Sequence, residues 1–231
     1  MTNEYSIKKI AEIHNGYTEK FGIPRQSGLA GSVVSQIIFE PEYRVQEAFR
    51  ELENFSHIWI IWQFSRAVRD EWSPTVRPPR LGGNKRIGVF ATRSPFRPNP
   101  LGLSCVKLEK IEYTKDSGPV LVVSGADLMN GTPIFDIKPY IPYADCHPEA
   151  QEGFTGSVER PVLKVEIDED LTSKFDIAFI GNVKEIIAQD PRPAYQDDAA
   201  RVYKMKYGCH DISFTVNGDT AQIVDIMKEK L

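Results

Sequence analysis

The chain has 231 residues, 41% hydrophobic and 26% charged, with a net charge of −4 from 28 basic and 32 acidic residues. That balance belongs to a globular protein and excludes a disordered or fibrous one. The longest apolar run, Ile58-Trp59-Ile60-Ile61-Trp62, falls far short of the roughly 20 residues a membrane-spanning helix needs. Residues 1–10 lack a basic stretch followed by an apolar one. Cys105, Cys146 and Cys209 form neither a CxxC pair nor a disulfide framework, so a reducing, cytoplasmic setting without membrane attachment is expected.

Runs with strand character cover residues 33–39, 58–64, 87–91, 103–113, 120–124 and 134–140. A helix is predicted over 44–52, where Val45, Ala48, Phe49 and Leu52 share one face. Composition shifts at 150–156 (AQEGFTG), which reads as a linker. Beyond it come a predicted strand over 158–167 and a helix over 170–188 with an apolar stripe of Ile177, Ile180, Val183, Ile186 and Ile187. Asp190-Pro191-Arg192-Pro193 stops that helix, and strands at 201–207, 211–216 and 221–227 follow, the last two joined by an Asn217-Gly218 hairpin turn. Many short strands punctuated by Gly and Pro predict a mainly β protein. The expected architecture is a barrel or sandwich over 1–155, followed by a small α+β domain over 156–231.

The negative net charge hides a basic stretch. Arg77, Arg80, Lys85, Arg86, Arg93, Arg97, Lys107 and Lys110 face only Glu109 between residues 77 and 110, a local charge of 8 − 1 = +7. Charge alone leaves two readings open, a footprint for a phosphate-bearing partner and a solvated arginine-rich loop.

The common cofactor and catalytic fingerprints are missing. There is no GxGxxG, no GxxxxGK[ST], no HExxH and no GxSxG, and the four histidines are scattered. No metal site is expected. Cys209 and His210 are adjacent, and strand neighbours point to opposite faces, so no Cys/His dyad is expected there.

Two stretches carry chemistry. In Arg93-Ser94-Pro95-Phe96-Arg97-Pro98-Asn99-Pro100 the prolines restrict the backbone, and a pre-organised array of Arg93, Ser94, Arg97 and Asn99 for an anionic or polar ligand is favoured over a barrel-crossing loop with solvated arginines or a Pro95-x-x-Pro98 polyproline ligand. In Asp127-Leu-Met-Asn130-Gly131-Thr132-Pro133-Ile-Phe-Asp136-Ile-Lys138-Pro-Tyr140 a glycine turn leads into a strand. Alternation there places Asp136, Lys138 and Tyr140 on one face, with Phe135 and Ile137 on the other. That strip reads equally as an acid/base and anion-binding surface and as a solvated sheet face with an Asp136–Lys138 surface pair.

Read together, the segments RPPRLGGNKRIGVFATRSPFRPNPLGLS (77–104) and DLMNGTPIFDIKPYIPYAD (127–145) resemble the TrmO family, also called YaeB or TsaA-like proteins. GIPRQSGL (22–29), LENFSHIWIIW (52–62) and DPRPAYQ (190–196) support the resemblance, which runs from about residue 5 to 228. It implies a non-Rossmann β-barrel that binds S-adenosylmethionine, with a small C-terminal domain. It also implies a homodimer that methylates N6 of N6-threonylcarbamoyladenosine at position 37 of tRNA, beside the anticodon. By the same resemblance the cofactor pocket maps onto Pro24-Arg25-Gln26, Ser65-Arg66, Arg93, Leu103 and Asn130-Gly131-Thr132-Pro133. Two positions depart from the family pattern: Ser65-Arg66 stands where members often carry His-Gln, and Asn130 where many carry Asp.

The acceptor nitrogen of such a substrate is a ureido N–H with a delocalised lone pair, so a base or strong acceptor is needed; Asp136 and Tyr140 are the candidates. A planar carboxylate on the substrate calls for an arginine or lysine, here Arg97 or Lys138. A small-molecule methyltransferase and a non-catalytic RNA-binding barrel are the competing readings. The basic stretch weighs against the first, and the Arg93, Arg97, Asn99, Asp136, Lys138 and Tyr140 set against the second.

Overall fold

The structure is a computed structural model that describes residues 4–69, 71–78, 85–157, 162–193 and 198–229. Six strands close into an antiparallel barrel: β1 (Ala11–His14), β2 (Val34–Phe39), β3 (His57–Gln63), β6 (Leu101–Thr114), β7 (Gly118–Ser124) and β8 (Pro133–Pro139). Their order is β1-β2-β7-β6-β3-β8, with β8 returning to pair with β1. Between β3 and β6 a two-stranded ribbon, β4 (Thr75–Val76) with β5 (Ile87–Gly88), stands apart from the barrel sheet.

Period-two alternation explains the barrel. Along β3 every second residue, Ile58, Ile60 and Trp62, turns inward, where it meets Ile13, Ile37, Val106, Leu121, Val123 and Ile134. A register shift between Ile61 and Trp62 interrupts the pairing with β8. Ile134 and Ile137 therefore both join the core, and Phe135 does not. The strict alternation expected for Phe135 and Ile137 is broken by this bulge.

The second unit is a sheet of order β10-β11-β12-β9, formed by β9 (Lys164–Ile167), β10 (Tyr203–Tyr207), β11 (His210–Asn217) and β12 (Thr220–Lys228). Only the β12–β9 pair is parallel. A short helix α1 (Pro142–Asp145) follows the barrel, and α2 (Glu169–Thr172) and α3 (Ile177–Ala188) follow β9. Ile180, Val183, Ile186 and Ile187 of α3 pack with Met205, Ile212, Phe214 and Ile223.

Several elements differ from the sequence expectation. The helix over 44–52 is instead two short 3-10 turns, Gln46–Phe49 and Leu52–Asn54, separated by Glu51 at φ 68°. Val45 is exposed and Phe49 alone is buried, edge-on against Phe39 at 4.8 Å, so no helical stripe has a core to face. The helix over 170–188 is split, because the Asp176 carboxylate accepts from the backbone amides of Ala178 and Phe179 and starts a new helix. Ile177, assigned to the stripe, is 88% exposed. The strand over 87–91 turns into a 3-10 turn at Val89, and β1 carries no strong sequence signal at four residues. Cys209 lies in the turn before β11, with its Sγ 3.7 Å from His210 Nδ1, so the strand-based separation of that pair does not hold. The start of the strand over 158–167 lies outside the described residues.

The two units meet along residues 16–33, the connection between β1 and β2. Tyr17, Ala30 and Val33 belong to the C-terminal core rather than to the barrel core. Gly208 N–H donates to the Gly16 carbonyl at 2.8 Å, and Lys206 N–H to Glu19 at 2.9 Å. A Cβ on Gly16 would lie 2.4 Å from the Tyr207 ring. That ring cannot swing away, being held edge-on to Tyr17 at 5.8 Å and by Asn182 Nδ2 donating to its hydroxyl at 3.1 Å. Gly16→Ala is therefore expected to lower stability by about 1–3 kcal/mol. Gly16→Ala combined with Tyr207→Leu should lose less than the sum of the two single changes. Urea unfolding of the four proteins checks this; strict additivity would mean the two residues do not meet.

Candidate active site

Four segments distant in sequence converge at one end of the barrel. The first is the loop after β1. It is held to the connection after β7 by Gly28 N–H donating to the Gly125 carbonyl at 2.8 Å, and Gly125 N–H donates to Val33 at 3.1 Å. Gly125 has φ +76°, and a Cβ there would lie 3.2 Å from Gly28 Cα, so the close approach needs glycine at 125; Gly28 has open space around it but a φ of +81° that favours glycine. This crossing sets Gln26 within reach of Arg93, whose Nη1 donates to Gln26 Oε1.

Asp127 lies just past that crossing. Its Oδ1 accepts from Ser104 Oγ at 2.5 Å, and Ser104 accepts from Trp62 Nε1 at 3.0 Å inside the barrel. Burial pushes the Asp127 carboxyl above the usual range, while the Ser104 bond, backbone bonds including one from Ser27, and the Arg93 charge pull it down. Gln26, Arg93, Asp127 and Ser104 thus present an amide, a guanidinium, a carboxylate and a hydroxyl side by side. Asp127 was not singled out in the sequence, where it reads as the polar end of an apolar strand. The available signal was its place directly before the glycine turn.

The turn itself, Asn130-Gly131-Thr132-Pro133, is fixed to β1. Asn130 Oδ1 accepts from Asn15 N–H at 3.0 Å, Asn130 N–H donates to Tyr17 at 2.8 Å, and Gly131 N–H donates to Ile13 at 2.8 Å. The Asn130 side chain thereby holds the same loop that carries Gln26. Thr132 is buried and Asn130 exposed.

Arg25 is directed elsewhere. Its Nη2 donates to the carbonyls of Arg192 (2.8 Å) and Asp190 (3.5 Å) in the C-terminal unit. Arg192 is itself buried and paired with both Asp190 oxygens at 2.8 and 3.0 Å. The Pro24-Arg25-Gln26 and Asp190-Pro191-Arg192-Pro193 motifs are therefore two sides of one contact. Ser65 and Arg66 turn into solvent one residue past Phe64, whose N–H donates to Pro100 at 2.9 Å.

The remaining predicted residues lie on the outer barrel face. Leu103 pairs with Ile61, and Ile61 with Asp136, which puts Leu103 and Asp136 two strands, or about 10 Å, apart. Lys138 Nζ is 3.1 Å from Asp136 Oδ2, and both side chains are well exposed. Tyr140 packs against Trp59 at 5.8 Å. Desolvation, with Cys146 next, raises its phenol above the ordinary range. Arg97 Nη1 donates to the Thr92 carbonyl at 3.1 Å and braces the proline loop. Among the described residues neither Arg93 nor Arg97 is paired with a carboxylate. Lys107 and Lys110 are paired, with Glu109 at 2.9 Å and Glu112 at 2.6 Å, so they do not add to the basic patch. Arg80 lies outside the described residues.

Asp127 makes a pH prediction. Its folded carboxyl binds a proton at a higher pH than the unfolded one, so folding takes up a proton in that interval. Its contribution is most favourable below the ordinary carboxylate range and is lost as pH rises through the raised value. Asp127→Asn can still accept from Ser104 but carries no charge. Its urea midpoint relative to the parent protein should therefore rise between about pH 4 and 7; a difference that stays flat with pH would contradict the buried-carboxylate reading.

Known proteins are similar to nearly the whole chain. The family model for the tRNA-methyltransferase O N-terminal domain matches residues 12–146, and that for the TrmO C-terminal domain matches residues 163–229. The tRNA (adenine(37)-N6)-methyltransferase of Escherichia coli K12 is 42% identical over 207 residues, covering 84% of this chain and 85% of its own. A Pseudomonas aeruginosa protein named as a putative S-adenosylmethionine-dependent methyltransferase is 40% identical over 199 residues, covering 83% and 84%. The crystal structure of TrmO from Pseudomonas aeruginosa superposes with a TM-score of 0.80 at 30% identity, covering 98% of this chain and all of that one. With both of its units matched in order and its fold reproduced, the chain belongs to the TrmO family.

Proposed function

We propose that this protein transfers the methyl group of S-adenosylmethionine to N6 of adenine 37 in tRNA, and that the acceptor adenine carries a threonylcarbamoyl group. The observation that carries the reading is the convergence of Gln26, Arg93 and Asp127 from three separate segments at the barrel end of a TrmO-family chain. The cofactor ends in an amino acid, with one carboxylate and one ammonium. A guanidinium, a carboxylate and an amide are the complementary donor and acceptor set. On this reading Gln26 and Arg93, with the Asn130-Gly131-Thr132-Pro133 turn, hold the cofactor. Arg25 shapes the loop from behind, and Pro24, Ser65, Arg66 and Leu103 line its approach.

When bound, S-adenosylmethionine supplies an electrophilic methyl group on a sulfonium. The protein's part is to align the acceptor and manage one proton. Asp136, with Lys138 Nζ 3.1 Å away, is placed to accept the N6 proton as the N–CH3 bond forms and the S–CH3 bond breaks, leaving a thioether. Tyr140 donates a hydrogen bond, consistent with its protonated phenol. Arg97 or Lys138 receives the threonyl carboxylate. The exposed Leu101 and Leu103 on the outer face support a homodimer through that face. Among the described residues no helix is long and apolar enough to cross a membrane, and a tRNA substrate supports a cytoplasmic location. We place the boundary between the catalytic barrel domain and the C-terminal domain near residue 155.

The test is single-turnover methylation of matched tRNAs with and without the threonylcarbamoyl group. Loss of a buried charge partner costs about 2–5 kcal/mol, so the unmodified tRNA should react roughly 30- to 5,000-fold more slowly. Arg97→Ala or Lys138→Ala should erase most of that difference. Equal wild-type rates on the two tRNAs would remove the threonylcarbamoyl assignment. In parallel, Arg86→Ala should flatten the dependence of log K for tRNA on log salt by about 0.7–0.9, the value for one phosphate contact; an unchanged slope would place Arg86 away from the RNA.

A further inference from the structure

Two large aromatic side chains lie open to solvent beside the β4–β5 ribbon, Trp72 just before β4 and Phe90 in the 3-10 turn after β5. Trp72 is 49% exposed and Phe90 71% exposed, and their rings stack on each other, 6.1 Å between centroids and 26° from parallel. They form one continuous apolar surface that the fold itself does not cover. Such a surface on a polar chain marks a binding site.

The platform is stiff. Val89 N–H donates to Pro74 at 3.0 Å and Ser73 N–H to Phe96 at 3.2 Å, while Ser73 Oγ donates to Thr75 at 2.6 Å. Its surroundings are cationic. The Arg97 guanidinium lies 6.0 Å from the Phe90 ring centre, and that of Arg69 sits 3.6 Å over Phe96. Arg86 donates to Thr75 Oγ1 at 3.2 Å in the same ribbon. Arg77, Lys85 and Arg93 are also exposed nearby in sequence, and among the described residues of this segment Glu71 is the one opposing acid.

We propose that Trp72 and Phe90 are a stacking platform for unpaired bases of the tRNA anticodon loop, with the surrounding arginines holding the flanking phosphates. The inference rests on the tRNA reading above and names how that substrate is gripped. Flat aromatic faces beside arginines fit nucleobases, whose faces are free only in single-stranded RNA. A protein partner would be met by an apolar patch with a mixed polar rim, not by two rings in a field of positive charge. The platform also meets a need of the reaction. Adenine 37 must leave the loop stack to present N6, and its displaced neighbours lose stacking that Trp72 and Phe90 restore.

The experiment compares binding of an anticodon stem–loop RNA and of a fully paired RNA duplex by fluorescence anisotropy. The proteins are wild type, Trp72→Ala, Trp72→Phe, Phe90→Ala and Phe90→Leu. Each alanine variant, and Phe90→Leu, should lose about 5- to 150-fold in affinity for the stem–loop and little for the duplex, with the salt slope unchanged. Trp72→Phe should keep most of the affinity, because the flat ring remains. Stem–loop binding should quench wild-type tryptophan fluorescence, and Trp72→Ala should lose most of that quench. Unchanged stem–loop affinity in both alanine variants overturns the platform, as does an equal loss for loop and duplex. A changed sedimentation coefficient with unchanged RNA affinity assigns the pair to an interface between copies and overturns it too. A wild-type protein that binds the stem–loop through these rings but methylates no adenine 37 overturns the functional reading and supports the platform. Methylation with wild-type KM in both alanine variants overturns the platform alone.

Discussion

The contact of Gly28 with Gly125 sets the geometry of the whole candidate site. The backbones approach so closely that a Cβ on Gly125 would lie 3.2 Å from Gly28 Cα, and the Gly28 N–H holds them there by donating to the Gly125 carbonyl. On one side of this crossing Gln26 reaches Arg93; on the other Asp127 enters its bond with Ser104. A side chain at Gly125 would press on the Gly28 backbone, push the loop off the barrel end and separate groups that the chemistry needs together.

The same loop is gripped from its far side. Glu185 of α3 accepts from the backbone amides of Gly31 and Ser32, each at 2.8 Å, and Arg25 reaches back to the carbonyls beside Arg192. The C-terminal unit therefore acts as a clamp for the 16–33 segment, and its core even includes Tyr17, Ala30 and Val33 from that segment. A loop of this length would otherwise sample many conformations, at a cost of about 1–2 kcal/mol per residue to order it. Sandwiched between two cores, it is ordered when the protein folds, before any ligand arrives.

The barrel wall separates two kinds of carboxylate. Asp127 is drawn into the barrel end, where burial raises its pKa, while Asp136 stands outside beside Lys138 in water. A mainly β fold without glycine-rich phosphate loops has to recognise ligands with side chains gathered at loop crossings. The polar groups here come from the connections after β1, β5 and β7, not from one contiguous fingerprint.

What the sequence determined by itself was local. Short strand-like runs punctuated by Gly and Pro marked a mainly β fold, Asn217-Gly218 marked its hairpin, and the proline–arginine loop and the Asn130-Gly131 turn stood out because no ordinary core segment has that composition. The failures were local as well: the 44–52 pattern resembled a helix but had no core to face, and Ile177 matched a stripe whose helix is entered one residue earlier by the Asp176 cap. Tertiary structure decided the rest. It turned Arg25 toward the C-terminal unit, paired Lys107 and Lys110 with acids, put Leu103 with Asp136 on the outer face, and made Asp127 the buried member of the site. Each of these depends on contacts between residues far apart in the chain. Side-chain periodicity records only which way a residue points within its own element, not what the folded chain sets in front of it.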